Sequence, residues 1–391
     1  MKQTMRWMGR PALFFAALGA LLSGSARAEV PQAQTQLRFS ADKPQILTTA
    51  EYLTVDQLTD PKLMALLKKY EIMVAPCIRD YQLETEAGQK ELDRLFSAYE
   101  KEGIALVFWP LTPRPEGLYL NKRSRKTFYE YLDKIYAWAD KYQHPILAMV
   151  IDIEPLNFQT GTNRSPDEPA KEAGLGLGQV IKDMDRKCFQ QAKPDFMRIQ
   201  EKLHAHGTIA ISTALDYAAL DIVMHTGAWE DLAGGPTMAV NWDYVSFMNF
   251  DSNNQKALGS LGFKIEDTRY LSYLLGKAIY KKYGNKAGIS TGQTIPGEGH
   301  GAVWTDPADL AKDIAALKAA GIMHFGVYDL QGIAEAKDPE AWIKAVKDTP
   351  PAKPKFRFKA WLFYQTLKGL TLDLNLFRGS IHHRCGEPVE K

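Results

Sequence analysis

The sequence predicts an α/β fold, and in particular a (β/α)8 TIM barrel, from two observations. Eight short runs rich in β-branched and aromatic residues recur along the chain, and segments with the apolar period of amphipathic helices separate them. Strands that alternate with helices indicate βα units and a parallel sheet, and eight such units are enough to close a barrel. A doubly wound open sheet has the same alternation and is the alternative.

Each predicted strand is a short run bounded by helical segments. In chain order the runs are PQILTT near residue 46, EIMVAPCI from Glu71, IALVFWPL from Ile104, ILAMVIDIE from Ile146, TIAISTAL from Thr208, DYVSFMNF from Asp243, AGISTGQT from Ala287 and HFGVYDL from His324. Several of the intervening helices open on Ser or Asp and close on Gly, the residues preferred at helix caps. The chain therefore supplies the elements that a barrel needs.

The N-terminus predicts export. A basic start precedes an apolar run at residues 11–22, and the small-residue triplet Ala26-Arg27-Ala28 follows it. This order is typical of a secretory signal peptide cleaved after Ala28, and a membrane anchor would need a longer apolar run of ~20 residues. We expect a periplasmic or secreted protein with three parts: a signal peptide (1–28), a barrel (29–350) and a C-terminal extension (351–391).

The net charge and the cysteine content limit the partners and the disulfides that the protein can have. The full chain has a formal net charge of +2, and residues 1–28 hold four Lys or Arg and no acid, so the exported chain would carry 2 − 4 = −2. This charge predicts no nucleic-acid partner. The three cysteines, Cys77, Cys188 and Cys385, permit at most one intramolecular disulfide. Cys77 is interpreted as a buried thiol, and a bond between the other two is left open.

Three segments lie outside the barrel pattern. Residues 158–193, rich in Gly, Pro, Asn and charge, form a long insertion after the fourth strand, interpreted as a lid or as a disordered excursion. Lys353–Leu370 mixes basic and aromatic residues as an interfacial membrane helix does, but we expect a final helix packed on the barrel and no membrane contact. His382 and His383 lie in a polar tail without a matching ligand cluster, so we expect no metal and no organic cofactor.

The stretch LAMVIDIEPLN, at 147–157, is an apolar strand that ends in two acids, Asp152 and Glu154. Because side chains alternate along a strand, both acids point away from the face that carries Ile151 and Ile153. With the isoleucines toward the helices, the acids enter the C-terminal end of the barrel, where barrel enzymes carry their chemistry. Close, partly desolvated acids raise each other's pKa, which suits Glu154 to general acid catalysis with Asp152 assisting. A salt-bridged pair at a strand end is the alternative.

Asp-Ile-Glu on the fourth strand, VSFMNFD on the sixth and FGVYDLQG on the eighth resemble motifs of the chitinase-type family 18 glycoside hydrolases. The resemblance implies a retaining mechanism in which Glu154 is the acid/base and Asp152 positions the substrate's acetamido group as nucleophile. Met248 and Asp251 match the sixth-strand motif. Phe250 replaces the Tyr of that motif and removes a hydroxyl donor, and the earlier acids of the fourth-strand motif are absent.

Two other groups of glycosidases share parts of this pattern. Family 25 lysozymes also end a barrel strand in Asp-x-Glu, although their first-strand motif is not evident here. IEPLN resembles the Asn-Glu-Pro of clan A glycosidases, but the seventh strand lacks the Glu nucleophile of that clan, and Glu298 lies too late to replace it.

Candidate substrate contacts follow from the chemistry of sugars. Sugar rings dock on aromatic faces, so Trp109, Trp304 and Tyr328 are predicted platforms, with core packing as the alternative. Asn249 and Asp251 are predicted to bind sugar hydroxyls, with capping of the following loop as the alternative.

The sequence thus predicts an exported glycoside hydrolase that acts on a polysaccharide or oligosaccharide, with an N-acetylhexosamine-containing glycan as the candidate substrate. The alternatives are a non-catalytic glycan-binding barrel, which the Phe250 replacement favours, and a lysozyme-like peptidoglycan hydrolase.

Overall fold

The computed structural model describes residues 43–111, 119–154, 186–295 and 303–377. The predicted signal peptide, the predicted insertion up to residue 185, Glu298 and the tail that contains His382 and His383 lie outside the described residues.

The described residues form eight parallel strands in one sheet, which confirms the predicted strands and the barrel. In chain order they are β1 (Gln45–Ala50), β2 (Met73–Ile78), β3 (Trp109–Pro110), β4 (Ala148–Ile153), β5 (Ile209–Leu215), β6 (Tyr244–Met248), β7 (Ala287–Thr291) and β8 (His324–Val327). The order across the sheet is β3-β2-β1-β8-β7-β6-β5-β4. Because the first strand pairs with the last, the sheet curls into a (β/α)8 barrel, and a doubly wound sheet is excluded.

The barrel closes through a single residue next to β3. The run from Ile104 forms only a two-residue strand, shorter than predicted, and Pro110 has no N–H to extend the ladder. Phe108 links this region to β4: its N–H donates to the carbonyl of Ala148 at 2.9 Å, and its carbonyl accepts from the N–H of Val150 at 2.8 Å. The hydrogen-bonded contact between the β3 region and β4 is therefore short.

Helices separate the strands, as the periodicity predicts. Within the described ranges they are α1 (Val55–Leu58), α2 (Pro61–Lys69), α3 (Asp80–Glu84), α4 (Glu86–Glu102), α5 (Arg125–Tyr142), α6 (Arg186–Ala205), α7 (Ala219–Met224), α8 (Ala228–Ala233), α9 (Asp251–Leu258), α10 (Ile265–Tyr283), α11 (Pro307–Ala319), α12 (Leu330–Ala334), α13 (Pro339–Lys347) and α14 (Phe358–Phe377). Asp60 caps α2 by accepting the N–H of Lys62 at 2.9 Å, and Gly103 ends α4 with a φ of 69°. Both caps follow the predicted pattern.

The side chains of β4 separate into two layers. Ala148 and Val150 belong to the apolar cluster inside the barrel, whereas Ile151 and Ile153 belong to the main cluster between strands and helices. Alternation along the strand therefore directs Asp152 into the barrel, as predicted.

In the described part of the C-terminal extension, α14 packs on the outside of the barrel. Tyr364 is buried, and the ring of Phe363 makes an edge-to-face contact with Phe263 at 5.2 Å between centroids. The indole of Trp229, in α8, donates to the hydroxyl of Thr371 at 2.8 Å. None of the helices in the described ranges combines the length and apolarity needed to cross a bilayer.

The cysteines differ in state. Cys77 is a free thiol inside the barrel, as interpreted, and burial raises its pKa well above the usual range. Cys188, in α6, is disulfide-bonded. Cys385, the third cysteine of the chain, lies outside the described residues.

Candidate active site

Asp152 and Glu154 lie at the C-terminal end of β4. Asp152 is the fifth residue of the strand and its side chain is buried in the barrel, and Glu154 follows the strand directly and is partly exposed. Neither carboxylate forms an ion pair with Arg or Lys within the described residues. Among the described residues, therefore, no cation neutralises either acid, which differs from the salt-bridged alternative.

Burial raises the pKa of both acids. Desolvation is the largest cause for Asp152, whose pKa rises to about 8, and the charge of Glu51 adds to it. Desolvation also raises the pKa of Glu154 well above its usual range, followed by the charges of Asp152 and Glu51. Because such acids resist ionising together, the pair retains a proton at neutral pH, which is the property that a general acid needs.

Glu51, which the sequence analysis missed, brings a third carboxylate to this end of the barrel. It follows β1 directly, and its Oε2 accepts a hydrogen bond of 2.7 Å from the hydroxyl of Tyr328. Its Oε1 lies 3.6 Å from Nη2 of Arg79, and its N–H donates to Oδ2 of Asp329 at 2.9 Å. These contacts join the ends of β1, β2 and β8. The signal in the sequence is the same as for Glu154, an acid placed directly after a strand.

Trp109 lies beside Asp152 inside the barrel. Its indole N–H is close enough to lower the pKa of Asp152 in part, against the larger effect of burial. Neither Nε1 of Trp109 nor Oδ1 of Asp152 forms a hydrogen bond of normal geometry with a described residue. With respect to the described residues, the N–H of Trp109 can therefore still donate a hydrogen bond, and Oδ1 of Asp152 can still accept one. Trp109 is buried in the inner cluster, which matches the core-packing alternative, and its role as a sugar platform stays a prediction.

Tyr328 and Phe250 form an aromatic pair across the ends of β8 and β6. Their ring centroids are 6.1 Å apart, and both side chains are partly exposed. Burial and the neighbouring Glu51 raise the pKa of the Tyr328 phenol, which therefore stays neutral and donates to Glu51. A contact between Tyr328 and a sugar ring is compatible with this position and stays a prediction.

Asn249 and Asp251 face the helical layer. The hydroxyl of Ser272, in α10, lies 2.7 Å from Oδ1 of Asn249 and 2.7 Å from Oδ1 of Asp251. Only 2% of Asn249 and 1% of Asp251 is exposed. Burial also raises the pKa of Asp251 well above its usual range. This placement does not support direct contact with sugar hydroxyls, because α10 occupies the position that a ligand would need.

Trp304 belongs to a buried ionic cluster between α10 and α11. Its indole Nε1 donates to Oδ2 of Asp313 at 2.7 Å, and the guanidinium of Arg269 lies over its ring at 5.7 Å from the centroid. Arg269 Nε in turn donates to Oδ1 of Asp313 at 2.6 Å. These contacts give Trp304 a structural role. Its side chain is partly exposed, and its contact with sugar stays a prediction.

Two phenols near Glu154 were also missed. Burial raises the pKa of Tyr119 and of Tyr217 well above the usual range, and the charge on Glu154 contributes to both shifts. Tyr217 follows β5 together with Asp216, whose Oδ2 accepts from the amide of Asn254 at 3.2 Å and whose pKa burial raises to about 6. The position of Asp216 and Tyr217 directly after the run TIAISTAL is the signal that could have identified these two residues.

The chemistry available at this end of the barrel is that of proton transfer and hydrogen bonding. Asp152 and Glu154 hold a proton, Glu51 is fixed by Tyr328 and Arg79, and phenols lie nearby. Across the part of the chain that the structure describes, no group of three or more His, Cys, Asp or Glu side chains is arranged to hold a metal ion.

Comparisons with known proteins find the barrel in several enzymes. No family model matches the chain, and no curated protein matches it. Among solved structures, it is similar to a GH5_18 protein from Streptomyces cattleya in complex with GlcNAc, at 12% identity and a TM-score of 0.49, covering 81% of this chain and 83% of that one. It is also similar to a GH5 xyloglucanase from Bacteroides ovatus, at 9% identity and a TM-score of 0.44, covering 78% and 74%.

A D-allulose 3-epimerase from Methylomonas sp. is a further neighbour, at 10% identity and a TM-score of 0.38, covering 86% of this chain and 98% of that one. The neighbours thus include glycoside hydrolases and sugar epimerases. The fold itself rests on the strand order, and no residue role is transferred from these proteins.

Proposed function

We propose that the protein is an exported glycoside hydrolase with Glu154 as general acid/base and Asp152 as its assistant. The observation that carries the proposal is the pair of acids at the C-terminal end of β4, with Asp152 buried inside the barrel and Glu154 partly exposed directly after the strand. Desolvation and neighbouring carboxylates raise the pKa of both acids. Export is supported by the basic and apolar N-terminus and by the disulfide at Cys188, because disulfides persist in oxidising compartments.

The mechanism follows from the roles of the two acids. Protonated Glu154 donates its proton to the glycosidic oxygen as the bond from that oxygen to the anomeric carbon breaks. The carbonyl oxygen of the substrate's own acetamido group attacks the anomeric carbon and forms a cyclic cation. Asp152 accepts a hydrogen bond from the N–H of this cation. Water then attacks the same carbon and loses a proton to Glu154, while the bond from that carbon to the acetamido oxygen breaks. The acetamido group is restored, and the sugar is released with retained configuration.

Glu51 supports this cycle through its charge. Its contacts with Tyr328 and Arg79 suit a carboxylate, and its charge raises the pKa of Asp152 and of Glu154. We infer that Glu51 is a positioning residue that keeps the acid pair protonated. Tyr119 and Tyr217, whose phenols interact with Glu154, are available as hydrogen-bond donors where Phe250 has none.

The second candidate function is glycan binding without hydrolysis. It is favoured by Phe250, which packs against Tyr328 and offers no hydroxyl to the reacting group. The two functions differ in their dependence on Glu154, because a binding site tolerates Gln in place of Glu whereas an acid catalyst does not.

The test is release of reducing ends from purified N-acetylglucosamine polymers, peptidoglycan and neutral polysaccharides. We expect release by the native chain and a loss of ~10²-fold or more in Glu154→Gln, the scale of general acid catalysis. Glu130→Gln, which changes an exposed acid on α5, is the matched control and should retain full activity. Retention of the same glycan by both proteins without release of sugar would replace hydrolysis with binding. Release from peptidoglycan alone would identify a lysozyme-like hydrolase.

A further inference from the structure

The outer face of α14 and of the segment before it carries large apolar side chains that are exposed. Eight of them are exposed by 38% to 74%: Phe356, Phe358, Trp361, Leu362, Leu370, Leu372, Leu376 and Phe377. We call these eight residues the α14 patch. A helix that is apolar on both faces normally has both faces covered, so the patch indicates a surface that contacts something else.

The start of α14 and the residue before it are anchored to the barrel. Arg357 Nε donates to Oδ1 of Asp267 at 2.7 Å, and Lys359 Nζ donates to the carbonyl of Gly262 at 2.7 Å. Phe358 and Trp361 stack on each other at 5.9 Å between centroids. The rings of Phe358 and Trp361 therefore lie in the part of the helix that these contacts hold against the barrel.

The charges around the patch have one dominant sign. Between Asp348 and Asp373 the chain has no acid, and it has five cations: Lys353, Lys355, Arg357, Lys359 and Lys368. Lys353 and Lys355 are exposed and form no ion pair with described residues. Lys359 donates to backbone carbonyls, and its charge also acts on Asp267. The nearby acids are Glu266, Asp267, which is paired with Arg357, and Asp373.

Against the expectation of no membrane contact from the sequence, we propose that the α14 patch docks on the surface of an anionic phospholipid bilayer. Exposed aromatic rings beside a row of lysines match an interface where apolar side chains enter the headgroup region and cations meet phosphates. A second copy of the chain fits less well, because a symmetric interface would bring the same cations of both copies together. This inference is independent of the proposed hydrolase activity.

The position of the patch relates it to the candidate active site. Gly262, which accepts from Lys359, lies in the connection between β6 and α10. Connections that follow strands lie at the C-terminal end of a barrel, which is also the end that carries Asp152 and Glu154. Docking would therefore place the edge of the C-terminal end of the barrel next to the bilayer.

The test is flotation of the full-length protein with vesicles of phosphatidylcholine, with and without phosphatidylglycerol. We expect binding to the anionic vesicles that weakens between about 0.1 M and about 0.5 M salt. The double variant Phe358→Ser/Trp361→Ser should bind ~10-fold or more weakly, because it removes two large rings from the interface. The control Tyr81→Ser/Met197→Ser removes exposed side chains on α3 and α6 and should bind normally.

A charge variant separates electrostatics from apolar contact. Lys353→Gln/Lys355→Gln should weaken binding at low salt by roughly fivefold per lysine, whereas Lys62→Gln/Lys101→Gln, two exposed lysines on α2 and α4, should not. All variants carry the same N-terminus, so a difference between them belongs to the changed residues, and equal melting temperatures establish that each is folded. The proposal is overturned if native protein does not float, if patch variants and controls bind alike, or if sedimentation finds a dimer that Phe358→Ser/Trp361→Ser dissociates.

Discussion

The hydroxyl of Tyr328 donates a hydrogen bond of 2.7 Å to Oε2 of Glu51, and this contact joins the last strand of the barrel to the first. It fixes a carboxylate whose charge acts on both Asp152 and Glu154. The contact therefore connects the closure of the barrel with the protonation of the candidate acid pair.

Replacing Glu51 by Gln should change the pH dependence of catalysis. Loss of its negative charge lowers the pKa of Asp152 and of Glu154, so the general acid loses its proton at lower pH. We expect the basic limb of the kcat/KM profile to move to lower pH and activity near neutral pH to fall roughly 10-fold. Tyr328→Phe keeps the charge and removes only the hydrogen bond, so its basic limb should move less. An unchanged profile in Glu51→Gln would remove Glu51 from the mechanism.

Replacing Asp152 by Asn should stabilise the fold in a pH-dependent way. The folded-state pKa of about 8 exceeds the usual value of 3.8, so the folded chain binds the Asp152 proton more tightly than the unfolded chain does. Stability from this group is present at low pH and is lost as the pH rises from about 4 to about 8. Asn does not titrate, so the variant should gain up to several kcal/mol relative to the native chain at the upper end of that range.

The measurement for Asp152→Asn is the melting temperature across pH 4 to pH 9, monitored by circular dichroism in both proteins. The difference between variant and native chain should grow with pH. A constant difference would show that Asp152 titrates normally in the folded state. Asp140→Asn, which changes an exposed acid on the outside of the barrel in α5, is the matched control.

Local pattern was sufficient to predict the strands and the inward direction of Asp152. Apolar runs define the strands, and the two-residue period of a strand fixes which face each side chain takes. Glu51 could not be identified as part of the site from pattern alone, because its partner Tyr328 lies 277 residues away along the chain. The burial of Asn249 and Asp251 has a similar origin, since Ser272 reaches them from α10. Contacts between segments far apart in the sequence therefore determine which strand-end residues belong to the candidate site and which are buried against a helix.

The cysteines should show one free thiol per chain. Cys77 is free and buried, with its pKa raised by burial, and Cys188 is disulfide-bonded. We expect no reaction with a thiol reagent in the native protein, one thiol after denaturation without reductant, and three after reduction. Since Cys385 is the remaining cysteine of the chain, a digest without reductant should contain a peptide that joins Cys188 to Cys385. Three thiols in the denatured, unreduced chain would contradict the disulfide.

The buried ion pair of Arg269 and Asp313 should contribute far more to the free energy of unfolding than the exposed contact between Arg269 and Asp309. Arg269 Nε lies 2.6 Å from Oδ1 of Asp313, whose side chain is fully buried and also accepts from Trp304. Asp313→Ala leaves Arg269 buried without its partner and the indole without an acceptor, which should cost about 3–5 kcal/mol. Asp309 lies 3.5 Å from the same Arg269 but is 37% exposed, so Asp309→Ala should cost less than about 1 kcal/mol.

Denaturant unfolding of both variants, followed by tryptophan fluorescence and circular dichroism, compares these costs. A third variant, Arg269→Met/Asp313→Leu, removes both charges together and should recover most of the stability lost in Asp313→Ala, because no unpaired charge remains. If the double variant is as unstable as Asp313→Ala, the loss comes from the hydrogen bond to Trp304 or from packing, and the unpaired charge of Arg269 is not its cause. If Asp309→Ala and Asp313→Ala cost the same, burial does not distinguish the two contacts.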